Sequence, residues 1–160
     1  MKKLQRFIAL ALTVAILGVT LCSCSNVGKS IMDDTYSQYE NVASSASFIT
    51  QEGKTKGSFS LKGKEEEVKY VTVDMGKDVE YNTVVLGEST KTVTLYEIYG
   101  SNEQDANYKF LYQSDCIEGG HTCYLGDVNY RYLRIFVNGS SGRYNVNSFS
   151  AYNIKKDNAK

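Results

Sequence analysis

The stretch that decides the fold is Tyr70-Val71-Thr72-Val73-Asp74-Met75-Gly76-Lys77. Aromatic and β-branched residues fill its first half, which favours a strand, and its glycine-containing end is typical of a turn. Outward from here, short runs of alternating apolar and polar residues recur, with turn residues between them and no helical period. The predicted strands are 45–50, 57–61, 68–75, 79–86, 92–99, 108–113, 122–125, 131–137 and 147–154. Strands at this spacing predict an all-β sandwich or barrel.

The same alternation predicts which side chains face the core. Glu97 should face water, so the opposite side of the 92–99 strand is expected to be buried. The expected core residues of this strand are Thr94, Tyr96 and Ile98. Those of the 131–137 strand are Leu133, Ile135 and Val137.

Residues 1–23 are predicted to be an export signal rather than part of the fold. Three basic residues precede an apolar run, Phe7–Leu21, that is shorter than the roughly 20 residues needed to span a bilayer. The run ends in Leu21-Cys22-Ser23-Cys24, which resembles a bacterial lipobox. We expect lipidation of Cys24, because a frame ending at Cys22 would put bulky Leu21 where a small residue is needed. An ordinary secretory signal with incidental cysteines is the alternative.

The rest of the chain divides into three parts. Residues 24–40 are polar without a sustained period and predict a lipidated N-terminus with a flexible tether; 41–155 form the sandwich and 156–160 a polar tail. Past residue 23, 15 Lys and Arg stand against 18 Asp and Glu. This weakly acidic balance argues against a nucleic-acid binder, which needs clustered basic residues. We expect a monomer held outside the cytoplasm, at the cell envelope, by its lipid anchor.

Five segments have a recognisable order and spacing: Tyr70–Lys77, Asn82–Leu86, Tyr96–Asn102, Arg131–Ile135 and Asn147–Tyr152. The first is similar to a "W-x-x-V-D-L-G-K" strand and turn, the third to "Y-x-I-x-G-S-N" and the fourth to "R-Y-V-R-I". Over about residues 41–155 the chain thus resembles the discoidin domains, also called coagulation-factor C-type domains, many of whose bacterial members belong to carbohydrate-binding module family 32. The resemblance implies a galactose-binding-like, antiparallel, eight-stranded jelly-roll β-sandwich with ligand loops at one end.

Two departures from that family concern its structural calcium. The family's Asp-Gly-x-x-x-Thr-x-Trp segment, which contributes to the calcium site, is replaced by residues 62–69, which lack the motif. The acidic positions that close the family's domain are Ser148 and Ser150 here. Because calcium takes about six to eight oxygen ligands including carboxylates, we expect no calcium and no other cofactor.

Cys116 and Cys123 are expected to lie opposite each other across a hairpin with loop 118–121, at a separation that suits a disulfide. Export favours oxidation, and two reduced thiols are the alternative. His121 is the only histidine, which excludes multi-histidine metal sites, and we interpret it as an exposed turn residue. No hydrolase or phosphate-binding motif is present.

Sugar recognition needs an aromatic face and planar polar groups. Loop 138–145 offers both, with Arg143, Tyr144 and Asn145 as candidate ligand contacts that Glu88 and Phe59 could join. Ordinary turn chemistry, with Tyr144 packed on the edge of the core, is the alternative.

Together these features predict a non-catalytic cell-surface lipoprotein that binds carbohydrate through loops at one end of its domain. The second hypothesis is a protein-interaction or scaffold subunit of an envelope complex, in which the same fold binds a surface protein without a sugar site. An enzyme is the third and weakest, since one histidine and no convergent motif leave little catalytic machinery.

Overall fold

A computed structural model describes residues 35–155 of the chain. The predicted export signal, the lipidation site at Cys24 with its alternative Cys22, and the polar tail 156–160 lie outside the described residues. In the described part, no helix combines the length and apolar character needed to cross a bilayer. Ten strands follow one another: β1 (Ser47–Thr50), β2 (Gly53–Lys56), β3 (Leu61–Gly63), β4 (Lys69–Asp74), β5 (Glu80–Glu88), β6 (Val93–Ser101), β7 (Lys109–Ser114), β8 (His121–Asn129), β9 (Tyr132–Ser140) and β10 (Tyr144–Tyr152).

The strands form two antiparallel sheets. The six-stranded sheet has the order β2-β1-β4-β9-β6-β7, and the four-stranded sheet has the order β3-β10-β5-β8. Buried side chains of both sheets, such as Val73 and Ile135 from one and Leu86 and Ala151 from the other, form a single core cluster. The predicted all-β antiparallel sandwich is therefore confirmed, with ten strands in residues 35–155 where the resemblance implied eight.

Strand alternation predicted most of the core correctly. Tyr96 and Ile98 on β6 are fully buried, as are Leu133, Ile135 and Val137 on β9. The expected burial of Thr94 is wrong, since this residue is exposed. The pairing of β6 with β9 shifts register on both sides of Leu95, which interrupts the alternation and puts Val93 in the core instead.

The predicted strand 57–61 is also wrong. β2 ends at Lys56, Gly57 adopts a φ of +77° that favours glycine, and β3 begins only at Leu61. The connection carries Phe59 inward, where its ring stacks on Phe48 with centroids 4.5 Å apart.

Asp74 organises the turn that follows β4. Its carboxylate accepts hydrogen bonds from the Gly76 N–H at 2.8 Å, from Arg131 Nε at 2.9 Å and from Lys54 Nζ at 3.3 Å. Burial alone would raise the pKa of Asp74, but these hydrogen bonds outweigh it and lower the pKa below its usual value. The ionised carboxylate therefore links β4, β2 and the β8–β9 connection.

The sandwich begins before the predicted boundary at residue 41. Tyr36 is 8% exposed, its ring stacks on Tyr152 at 5.0 Å, and its hydroxyl lies 3.0 Å from Thr122 Oγ1. Asn41 Oδ1 accepts the Ala151 N–H at 3.1 Å. Within the predicted tether 24–40, where a short ordered stretch near Tyr36 to Tyr39 was expected, Tyr36 packs on the sandwich.

The predicted Cys116–Cys123 disulfide is not formed, and both thiols are free. β7 pairs with β6 in one sheet and β8 pairs with β5 in the other, so no hairpin sets the two cysteines opposite each other. Cys123 lies in the core with its Sγ 3.1 Å from the Tyr96 hydroxyl. Burial raises the pKa of Cys123 to about 12, which keeps its thiol neutral, and burial also raises the pKa of half-buried Cys116.

Candidate functional site

The candidate ligand residues can be assigned to the two ends of the sandwich. At one end β5 finishes at Glu88 and β10 begins at Tyr144, and we call this end the predicted rim. At the opposite end β5 begins, β8 and β10 finish, and residues 153–155 follow; we call it the terminal end.

Arg143 and Asn145 come together at the predicted rim, as the sequence suggested. Thr92 Oγ1 donates to the Arg143 carbonyl at 2.8 Å, and the Ser89 N–H donates to the Asn145 carbonyl at 3.1 Å. The Arg143 residue is exposed and Asn145 is half-buried. Both could therefore reach a ligand.

Glu88 lies beside them, paired with Val146, but it faces inward. It is only 5% exposed, and its carboxylate accepts hydrogen bonds from the Thr90 hydroxyl at 3.1 Å and from the Val93 N–H at 3.3 Å. These bonds order the β5–β6 turn, so Glu88 has a structural role rather than the predicted ligand-binding one.

The two aromatic residues predicted for this end belong to the core. Tyr144 is 2% exposed, and its hydroxyl donates to the Glu67 carbonyl at 2.9 Å. Its ring covers Gly63, where a Cβ would collide with it. Phe59 is 8% exposed beneath Phe48. Neither ring can offer a face to a sugar, which corrects the prediction for both residues.

A cleft of about 810 Å³ opens instead at the terminal end. Its walls are the start of β5, the end of β8 and residues 153–155. The lining combines polar side chains with a larger apolar surface and consists of Glu80, Tyr81, Asn82, Thr83, Tyr124, Gly126, Asp127, Val128, Asn129, Asn153, Ile154 and Lys155.

A bulge in β8 explains the position of the cleft. Tyr81 pairs with Val128 and Thr83 pairs with Tyr124, so two steps along β5 correspond to four along β8. The extra residues include Gly126, whose φ of +71° suits a residue without Cβ. A bulge bends its strand and increases the local twist, which separates the end of β8 from β5.

Asn82 holds residues 153–155, which form the third wall of the cleft, in place. Its Oδ1 accepts the Ile154 N–H at 2.9 Å, while Nδ2 donates to the Ile154 carbonyl at 2.8 Å and to Asp127 Oδ1 at 3.2 Å. A single side chain on β5 therefore fixes both the C-terminal segment and the bulge of β8.

Tyr124 supplies the exposed aromatic ring of the cleft, at 69% exposure. Thr83 pairs with Tyr124 on one side and with Tyr152 on the other, so a small side chain separates two rings. The neighbouring Tyr36 hydroxyl, whose ring stacks on Tyr152, raises the pKa of the Tyr124 hydroxyl. Most of the surface of Tyr124 faces solvent.

Tyr81 contributes a buried polar atom beside the cleft. The residue is 1% exposed, and among residues 35–155 its hydroxyl is the buried side-chain atom that has no hydrogen-bond partner. Burial, with a smaller contribution from Tyr130, raises the pKa of Tyr81. An unsatisfied buried hydroxyl costs about 1–3 kcal/mol.

The chemistry of the cleft suits a polyhydroxylated ligand. The carboxylates of Glu80 and Asp127 accept hydrogen bonds, and the amides of Asn129 and Asn153 both donate and accept. No group of three or more His, Cys, Asp or Glu side chains within residues 35–155 could hold a metal ion. His121 lies at the other end of β8, where its Nε2 is 3.1 Å from the Tyr112 hydroxyl.

Sequence patterns did not predict the cleft, although one local signal pointed to it. Gly126 directly follows the predicted strand 122–125, and a glycine inside a strand pattern often marks a bulge. Reading β8 through Gly126 to Asn129 would have placed Tyr124 and Asp127 on a distorted strand end. The contact between Asn82 and Ile154 had no such signal.

Solved structures with this fold include carbohydrate-related proteins. Chitosan-binding module 1 of a chitosanase/glucanase from Paenibacillus sp. IK-5 superposes with a TM-score of 0.56 and 17% identity, over 71% of this chain and 99% of the module. A GH29 fucosidase from Ruminococcus gnavus, solved with fucose, superposes with a TM-score of 0.60 and 14% identity, over 74% of this chain and 27% of the fucosidase. This chain thus spans about a quarter of the length of the fucosidase. No protein-family model and no curated protein sequence matches the chain. The class that the fold defines is an antiparallel β-sandwich of the kind seen in carbohydrate-binding modules.

Proposed function

We propose that this protein is a non-catalytic glycan-binding module of the cell surface and that the cleft at the terminal end is its sugar site. The observation that carries the proposal is the exposed ring of Tyr124 at a concavity lined by carboxylates and amides. A pyranose has an apolar face that stacks on an aromatic ring and hydroxyls that bond to groups such as Asp127 and Asn129.

The proposal moves the sugar site away from the predicted rim. Arg143 and Asn145 are accessible there, but Tyr144 and Phe59 are buried. The end with an accessible ring is therefore the better candidate. Two further observations support a sugar ligand: the likeness of the fold to a chitosan-binding module, and the five segments that resemble discoidin domains, the family to which we assign the chain.

The lipobox-like segment ending at Cys24 supports anchoring in the cell envelope. Two or three acyl chains on one cysteine would hold the module stably at a membrane. Many anchored monomers facing one polysaccharide would then bind through avidity, which compensates for modest affinity at each site.

A binding role fits the carboxylates of the cleft better than a catalytic one. A glycosidase needs a general acid whose pKa is raised by apolar surroundings, opposite a second carboxylate. Glu80 and Asp127 are both exposed, and Asp127 accepts a hydrogen bond from Asn82.

A glycan array followed by calorimetric titration of the purified protein tests the proposal. Tyr124→Ala should weaken binding about tenfold or more, because it removes the stacking face, whereas Tyr124→Phe should bind like the wild type. Val68→Ala, which truncates an exposed apolar side chain just before β4, is the matched control. Absence of any glycan ligand, or equal affinity of Tyr124→Ala and the wild type, would refute the cleft as a sugar site. Recovery of a partner protein after detergent extraction, together with the first result, would favour the scaffold hypothesis.

A further inference from the structure

The outer face of the six-stranded sheet carries four aromatic rings, one from each of four neighbouring strands. Ring centroids lie 5.1 Å apart between Tyr70 on β4 and Phe136 on β9, 5.7 Å between Phe136 and Tyr99 on β6, and 5.6 Å between Tyr99 and Phe110 on β7. We call these four residues the aromatic row. The row is separate from the cleft, which belongs to the four-stranded sheet and residues 153–155.

Strand register explains why the rings line up. Tyr70 pairs directly with Phe136, and Tyr99 pairs with Phe110. Their chain neighbours, such as Val71, point to the core, so alternation turns the four rings outward. Phe110 is 56% exposed and the other three are half-buried.

Arg134 fixes one end of the row. Its guanidinium carbon lies 4.8 Å from the ring centroid of Tyr70 and 4.1 Å from that of Tyr108, an arrangement that favours cation–π attraction on both sides. Arg134 Nε also donates to Thr72 Oγ1 at 3.1 Å. These contacts hold Tyr70 in a defined orientation before any ligand arrives.

Glu97 places polar groups beside the middle of the row. Its Oε2 accepts hydrogen bonds from the Tyr99 hydroxyl at 3.0 Å and from Asn138 Nδ2 at 2.7 Å. The carboxylate therefore orients Tyr99 and keeps lone pairs for hydroxyl groups of a ligand. Rings bordered by such groups have the two components of sugar recognition.

We infer that the aromatic row is a second carbohydrate site, which takes an extended polysaccharide chain. Four neighbouring strands span about 14 Å at a strand spacing of ~4.8 Å, which exceeds the width of one pyranose ring. Consecutive sugars of a chain can therefore contact successive rings, whereas a monosaccharide would reach only one or two. This inference extends the proposed function from one site to two and does not depend on the cleft.

A second copy of the protein fits this face less well than a polysaccharide does. Stable protein interfaces bury about 800 Å² on each partner. Of the four rings only Phe110 is more than half exposed, so the apolar area on offer is well below that value. A polysaccharide is narrow enough to lie along the row and needs far less area.

Native affinity electrophoresis of the purified protein tests the inference, with gels containing glycol chitosan, galactan, xyloglucan or mixed-linkage β-glucan. The wild type should be retarded by at least one of these polymers. Phe110→Ala should reduce that retardation, with about a fivefold or greater loss of affinity, while Phe110→Tyr, which keeps the ring, should not. Phe110→Ala should melt like the wild type, because the side chain is exposed.

Tyr124→Ala separates the two sites. Retardation that survives Tyr124→Ala but is weakened by Phe110→Ala supports the row, even if the cleft proves not to bind sugar. Equal retardation of Phe110→Ala and the wild type in every polymer that binds would overturn the inference. So would the absence of retardation by all four polymers, or a dimer in sedimentation experiments that Phe110→Ala dissociates.

Discussion

Replacing Asn82 by alanine should both loosen the fold and open the cleft. The change removes two hydrogen bonds with the backbone of Ile154, at 2.8 and 2.9 Å, one with Asp127 at 3.2 Å and one accepted from the Thr83 hydroxyl at 3.0 Å. A typical hydrogen bond contributes about 1 kcal/mol net. The bond to exposed Asp127 should contribute little, and water can reach half-buried Ile154 after the change. We therefore expect the free energy of unfolding to fall by about 2 kcal/mol.

Thermal and urea unfolding of the purified protein measure this loss. For a domain of this size, 2 kcal/mol corresponds to a fall in Tm of about 8 °C. Asn129→Ala is the control, since it truncates the same type of side chain at an exposed position of the same cleft and should change Tm by less than about 2 °C. Sugar binding at the cleft should weaken in Asn82→Ala, because the wall formed by residues 153–155 loses its attachment. A Tm equal to that of the wild type would refute the role we assign to Asn82.

Three further predictions follow from buried groups. Tyr81→Phe should leave the free energy of unfolding unchanged or raise it by up to about 1 kcal/mol, because it removes an unsatisfied hydroxyl; a clear loss in urea denaturation would mean that the hydroxyl has a partner. Because the pKa of Asp74 is lowered in the folded state, its carboxylate should stabilise the fold fully above the unfolded pKa, and this stabilisation should disappear as pH falls through the lower folded pKa. The free energy of unfolding of Asp74→Asn should therefore depend less on pH in the acid range. An unchanged pH dependence would contradict this prediction. Because both thiols are free, reductant should not change Tm, and maleimide should label Cys116 faster than buried Cys123. A fall in Tm on reduction would show instead that the two cysteines form a disulfide.

Local pattern was enough to predict the sandwich. The inward residues of β9, from Leu133 to Val137, follow from alternation within one strand. The error at Thr94 has the same origin, since a bulge breaks the period that the prediction relies on.

The site was harder to predict because it depends on contacts between distant parts of the chain. Tyr144 resembles a loop residue in sequence. Its ring fills the space left by the missing side chain of Gly63, and because Gly63 is distant in the chain, no local pattern predicts this contact. Cys116 and Cys123 are close in sequence, but Cys116 lies in the connection between β7 and β8, and these two strands belong to different sheets. The cleft likewise requires Asn82 to meet Ile154, a pairing that no local rule predicts.

The docking of Tyr36 bears on how the module would respond to mechanical load. If Cys24 is anchored in a membrane as proposed, eleven residues separate it from Tyr36, and the twelve Cα–Cα steps of this linker span at most about 43 Å when fully extended. Tension along this linker would act first on the stacked rings of Tyr36 and Tyr152 and only afterwards on the hydrogen-bonded strands. Separation of that ring from Tyr152 would lengthen the linker while the sandwich stays intact. A protein that is anchored and bound to a polysaccharide as proposed would then extend before it unfolds.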